Sequence, residues 1–370
     1  MLPTIQQCIM YLVGALLIFL AIKKKYEPTL LLPMGFGAIL VNLPESGAIN
    51  QTVPGIGEVR GIVQWLFEVG IEASEALPIL LFIGIGAMMD FTPLLQRPIY
   101  FLFGFAAQAG IFVAMGIAML LGFEPKDAAS IGMIGAADGP TSILVSQILG
   151  SNYIGAISVA AYSYMALVPI IQPLTIRAIT SSKERKIRMP YSEKKIPKYV
   201  KIIFPIVVTF LAGWIAPMSV SLVGFLMFGN LIRESGVLDT LTKYAQDGLT
   251  NLITLLLGIT ISFSMRADVF VRKETLLIMV IGLVAFVFDT VGGVLLAKIM
   301  NLFLRNKINP MVGAAGISAF PMSARVVQKM AGEEEPGNII LMQAAGANVA
   351  GQIGSAVVGG LILSICSVLW

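Results

Sequence analysis

Apolar stretches long enough to cross a bilayer recur along this chain, around residues 9–22, 77–95, 99–122, 153–179, 202–215, 219–232, 249–263, 276–303 and 339–370. A hydrocarbon core is spanned by roughly 20 helical residues. Inside it every backbone amide must be satisfied within the protein, which leaves only helices and closed barrels. These runs are continuously apolar, unlike the alternating segments of about ten residues that barrel strands show. Hydrophobic residues make up 57% of the chain and charged residues 12%. The expected fold is therefore all-α, a polytopic transmembrane helical protein.

Charge sets the expected topology. The first apolar run has no basic region before it and no small-residue cleavage pattern, and Lys23, Lys24 and Lys25 follow it. A retained membrane segment is expected, not a signal peptide. The largest basic cluster, residues 183–201, is expected in the cytoplasm. It accounts for the net charge of +4, which is then no argument for nucleic acid. Four regions follow: residues 1–60 as amino-terminal membrane segments and loop, 61–180 as a first membrane repeat, 181–201 as a basic linker, and 202–370 as scaffold helices with a second repeat. Glycines and prolines punctuate residues 28–61, with 42–58 expected as an exposed loop.

One carboxylate stands apart. Asp138 lies in IGMIGAADGPTS (131–142), where small residues and a proline interrupt membrane-like sequence. A charge at such depth is expensive and marks a functional site by default. The run recurs as VGAAGISAFPMS (312–323), with Gly132, Gly135, Pro140 and Ser142 matched by Gly313, Gly316, Pro321 and Ser323. Paired interruptions in the two halves point to an ion or substrate site built from broken helices, as in inverted repeats meeting near the midplane. Earlier breaks are expected at 88–93 and 262–268, where Asp90 and Asp268 suit helix capping.

Asp138 has only small neighbours, so its oxygens are open to a hard cation such as sodium, which takes oxygen ligands. Capping of the following helix is the alternative. Asn309 and Ser318 offer neutral oxygens, and Arg325 a forked cation suited to a carboxylate or carbamate, or else to a salt bridge with Asp138. Asn348 lies among small residues in the last apolar run, and Tyr164 is a candidate buried proton donor. The chain has no histidine, and its two cysteines sit far apart at Cys8 and Cys366, so proton chemistry falls to carboxylates, tyrosine, water or substrate. No nucleotide-binding or nucleophile-elbow motif is present.

Across nearly its whole length the sequence resembles the beta subunits of the sodium-pumping biotin-dependent decarboxylases, which act on oxaloacetate, methylmalonyl-CoA, glutaconyl-CoA or malonate. The resemblance rests on GIGAMMDFTPLL from Gly84, GMIGAADGPTSI from Gly132, NPMVGAAGISAFPMSARV from Asn309 and NVAGQIGSA from Asn348. It implies a subunit that decarboxylates carboxybiotin and couples carbon dioxide release to sodium export, consuming a proton. Asp138 would be the sodium- and proton-linked carboxylate, sharing its site with Asn348. Asn309, Gly313 and Ser318 would shape a second sodium or proton pathway with Tyr164 along it, and Arg325, with Gly313, would meet carboxybiotin. Biotin would arrive on a separate carrier subunit, beside a carboxyltransferase subunit and a small membrane anchor, in a homo-oligomer of the bacterial inner membrane. An elevator-like core moving against a scaffold is also implied. Ala347 stands where many relatives carry proline, and Gln343 where some carry histidine. A sodium-coupled transporter of a small organic anion is the competing expectation, using the same Asp138 and Arg325.

Overall fold

The computed structural model describes residues 3–53, 55–73, 76–190 and 194–369. Residues 191–193, in the middle of the basic linker, lie outside the described residues. Among the described residues seven helices are long and apolar enough to cross a membrane. The first, α1 (Ile5–Lys24), starts at a reciprocal cap: the Thr4 hydroxyl accepts the Gln7 amide at 3.2 Å and the Gln7 side chain accepts the Thr4 amide at 2.8 Å. It turns back through Lys25 into α2 (Pro28–Asn42). The sequence alone left this helix unassigned because prolines open and interrupt it. Beyond it the expected loop contains a small antiparallel hairpin, β1 (Gln51–Val53) and β2 (Gly57–Val59).

The remaining helices are α3 (Ala76–Met88), α4 (Tyr100–Ala106), α5 (Ala109–Leu120), α6 (Pro125–Gly132), α7 (Gly139–Ile148) and α8 (Ile154–Ile179) in the first half. The second half carries α9 (Lys198–Ile215), α10 (Val220–Ser235), α11 (Thr250–Ile261), α12 (Lys273–Phe303), α13 (Pro310–Ala314), α14 (Met322–Glu334) and α15 (Leu341–Leu369). They pack as two groups. In one, α2 pairs with α1 and α11, and α10 with α3 and α9; in the other, α12 packs on α5, α8 and α13, and α15 on α4 and α14.

Both glycine-rich runs are breaks between short helices, α6 to α7 and α13 to α14. The matched residues are 181 positions apart, and the spacing reappears in the hydrogen bonds. Ser142 donates to the Met133 carbonyl at 3.0 Å, and Ser323 donates to the Ala314 carbonyl at 3.4 Å. The breaks touch directly, the Ser318 amide donating to the Ala136 carbonyl at 3.2 Å. Of the earlier breaks, Asp90 accepts the Thr92 amide at 2.9 Å as a cap does, whereas Asp268 lies 3.8 Å from Arg266.

The end of α8 and the linker after it are strapped to the end of α14. Arg177 pairs with Glu333 at 3.3 Å, Arg185 with Glu334 at 2.6 Å and Arg188 with Glu335 at 2.6 Å. Of these the Arg185–Glu334 pair is the most enclosed, with side chains 12% and 17% exposed. The Arg185 hydrogen bond holds the Glu334 carboxyl below the usual carboxylate range. A depressed carboxylate stabilises the fold above its ordinary titration range, and that stability is lost as pH falls through the depressed value. Arg185→Ala is expected to cost about 2 kcal/mol near neutral pH. In thermal unfolding of detergent-solubilised protein, the gap between wild type and variant should close on acidification.

Candidate functional site

The first break turns through Ala137, which at φ 51° occupies the left-handed region that residues with a Cβ rarely adopt. It delivers Asp138 to the N-cap of α7. The Asp138 carboxylate is buried and unevenly satisfied. Its Oδ2 accepts the Thr141 hydroxyl at 2.7 Å, the Gln352 side-chain amide at 3.0 Å and the Ser355 hydroxyl at 2.6 Å. Among the described residues Oδ1 accepts only the Thr141 backbone amide, at 3.4 Å. One oxygen is locked to the protein while the other keeps free lone pairs, the arrangement a cation ligand needs. Gly139 allows the Tyr162 ring to close over the loop, since a Cβ there would lie 2.3 Å from Tyr162 Cζ.

Two of the three donors on Oδ2 come from a helix remote in sequence. Asn348, Gln352 and Ser355 are spaced i, i+4 and i+7 along α15 and so share a face. Asn348 donates to the Ile317 carbonyl at 2.7 Å, and its own Oδ1 is buried without a hydrogen-bond donor among the described residues. Ser318, next along the second break, donates to the Gly351 carbonyl at 2.8 Å. A cap, two breaks and one helix face thus converge around Asp138.

Asp138 opens onto a cavity of about 340 Å³ between the two helix groups. Ser318, Gln352, Tyr162 and Arg325 line it from the Asp138 side, and Glu27, Thr250, Asn251 and Thr254 face them. Arg325 is exposed to this space and forms no ion pair with Asp138, whose hydrogen bonds all go elsewhere.

Four residues singled out from sequence do not line the cavity: Asn348, whose contacts are given above, and Tyr164, Asn309 and Gly313. Tyr164 donates to the Met279 carbonyl and packs among Ile134, Ile157 and Ile281. Asn309 is held at the linker, donating to the carbonyls of Arg185 at 2.7 Å and Ile187 at 2.9 Å while capping α13. Gly313 abuts Gly293, where a Cβ would meet the opposing carbonyl oxygen at 2.0 Å, so it serves the crossing of α12 and α13. Sequence reasoning passed over Tyr162, Gln352, Ser355 and Glu27. It also missed Asp289, fully buried on α12, whose Oδ1 accepts the Gly110 amide at 2.5 Å at the start of α5 and whose Oδ2 has no hydrogen-bond partner among the described residues. Its signal was the one that found Asp138, a lone acid in an apolar run.

A helical membrane protein that gathers a buried carboxylate, neutral oxygens and a guanidinium around one cavity between broken helices is of the ion-coupled class. The family model described as the Na+-transporting oxaloacetate decarboxylase beta subunit matches residues 6–366, and the chain belongs to that family. It is similar to the glutaconyl-CoA decarboxylase subunit beta of Acidaminococcus fermentans, 46% identical over 358 residues, covering 96% of this chain and 92% of the relative. It is also 46% identical over 374 residues to the methylmalonyl-CoA decarboxylase subunit beta of Propionigenium modestum, covering 96% and 94%. To the oxaloacetate decarboxylase beta chain 2 of Salmonella typhi it is 43% identical over 410 residues, again covering 96% and 94%. The chain is therefore a membrane component of a sodium-transporting decarboxylase.

Removing a donor from a buried carboxylate leaves that group short of a partner it cannot replace with bulk water. Ser355→Ala is expected to destabilise the detergent-solubilised protein by about 2 kcal/mol. Ser364→Ala, one turn from the end of the same helix and distant from Asp138, is the control for thermal unfolding.

Proposed function

We propose that this chain decarboxylates carboxybiotin in the cavity shared by Asp138 and Arg325, and couples loss of carbon dioxide to sodium export across the bacterial cytoplasmic membrane with uptake of a proton. The observation that carries the reading is that Asp138 and Arg325, 187 residues apart in sequence, line one cavity without pairing with each other. A guanidinium with no ion pair among the described residues is ready to hold a substrate carboxylate through two parallel hydrogen bonds. A carboxylate with one free oxygen is ready for a hard cation.

In the reaction the bond between the ureido nitrogen and the carboxyl carbon breaks, carbon dioxide leaves, and the nitrogen keeps the electron pair and takes a proton. Arg325 orients the carboxylate for that loss. Sodium, as cargo, is received by Asp138 Oδ1 with Asn348 Oδ1 and Ser318 as neutral neighbours, competing there with a proton. The lone buried oxygen of Asn348 supports its place in this set. Carboxybiotin reaches the cavity on a biotin carrier subunit, loaded by a carboxyltransferase subunit, with a small membrane-anchor subunit completing a complex in which this chain is an oligomer. Since the cavity lies between the two helix groups, movement of the broken repeats against α1–α3 and α9–α11 would expose the ion to the other side.

Co-purification of a biotinylated protein with the tagged chain from native membranes, detected with streptavidin, tests the partner assignment; its absence after crosslinking would count against it. Asp138→Asn is expected to abolish both sodium-dependent decarboxylation and sodium uptake into vesicles. Arg325→Lys loses the two-pronged grip and is expected to raise the KM for carboxybiotin about tenfold or more, with half-activation by sodium little changed. Equal loss of carboxybiotin and sodium dependence in Arg325→Lys would make Arg325 structural.

A further inference from the structure

Glu27 is the second acid on the cavity wall, and among the described residues no hydrogen bond or ion pair uses its side chain. It occupies the N-cap of α2, where an acid ordinarily accepts an amide from the first turn, yet it makes no such bond. Its backbone sits at φ 34° and ψ 61°, in the left-handed region that residues with a Cβ rarely adopt. Strain of that kind persists where the surroundings impose it and collects at functional sites. The result is a half-buried carboxyl on the wall opposite Asp138.

The two acids of the cavity are prepared for different work. Asp138 is fastened by four hydrogen bonds from Thr141, Gln352 and Ser355. Burial holds the Glu27 carboxyl above the usual carboxylate range against the opposing pull of the Arg325 guanidinium. The ionisable groups that face it are Arg325, Asp138 and Tyr162 across the cavity and Lys24, Lys25 and Tyr26 on its own turn. The lining residues of α3 and α11, namely Leu81, Ile85, Met88, Thr250, Asn251, Thr254 and Leu257, include no ionisable group.

We propose that Glu27 is the general acid of the reaction, delivering its carboxyl proton to the ureido nitrogen of carboxybiotin as carbon dioxide leaves. The assignment rests on the carboxybiotin reading above. The substrate carboxylate held by Arg325 places the scissile bond in the space that Glu27 faces. The N–C bond breaks, its electron pair goes to nitrogen, and the Glu27 O–H proton follows it, leaving a glutamate that is reprotonated from water before the next turnover. No oxidant or further reactant is needed.

The test compares wild type, Glu27→Gln and Glu27→Asp in the intact membrane complex, measuring carbon dioxide release from synthetic carboxybiotin against pH and sodium concentration. General acids contribute about a hundredfold or more, so Glu27→Gln is expected to lower kcat by at least that factor with KM and sodium half-activation within about threefold of wild type. The fall in rate on the alkaline side should vanish from its residual activity, because glutamine has no proton to lose. Glu27→Asp keeps an acid and is expected to recover part of kcat. A Glu27→Gln enzyme with kcat within about threefold of wild type would overturn the proposal. So would a raised KM at unchanged kcat, which would make Glu27 a partner of Arg325 only, or a Glu27→Asp enzyme no better than Glu27→Gln. Wild type that releases no carbon dioxide from carboxybiotin, while still exchanging sodium, would instead overturn the decarboxylation reading beneath it.

Discussion

A carboxylate within the apolar layer has no bulk water to solvate it, so the protein must supply its hydrogen bonds or neutralise it. Asp138 meets this constraint with Thr141 from its own helix and Gln352 and Ser355 from α15. The donors can reach it only if helix α6 ends early, if Ala137 takes a left-handed turn, and if α15 passes directly behind α7. The second break is then fixed against the first by the amide of Ser318 and against α15 by its hydroxyl. Much of the second helix group is therefore organised around one side chain, and the three donors on Oδ2 leave Oδ1 as the oxygen with spare capacity.

The cavity is formed where the two groups of helices fail to fill the space between them. Its wall on the α2, α3 and α11 side mixes apolar residues with Thr250, Asn251 and Thr254, while the opposite wall carries Asp138 and Arg325. Such a polar lining is costly in a membrane protein unless water or a polar ligand enters, and irregular backbone is tolerated at this depth only where it is enclosed by protein or lines such a space. The glycine-rich breaks satisfy both conditions at once, being packed on α12 and α15 and opening on the cavity.

What the sequence made legible was whatever is rare in apolar surroundings. Asp138, the paired breaks and Arg325 could be read because a charge, a proline or a run of small residues stands out there. Gln352 and Ser355 could not, because their importance comes from which face of α15 turns toward α7, a tertiary fact. Tyr162 and Tyr164 are two residues apart on α8, pointing in nearly opposite directions, and nothing in the sequence says which meets Asp138 and which meets Met279. Asn309 carries the motif and caps a helix as its type suggests, but its side-chain amide is spent on the linker. Asp289 was readable by the same cost argument as Asp138, yet it sits in an unbroken helix with no run of small residues beside it to draw attention.

The strap between the linker and α14 has a mechanical meaning. Arg325 stands one turn into α14, and the acids that hold the linker stand at its far end, nine residues on, a distance of about 14 Å along the axis. A helix that short is stiff. Any load on this linker therefore acts on a rigid rod whose other tip is the guanidinium in the cavity, and the segment that joins the two halves covalently doubles as a handle on the protein's interior.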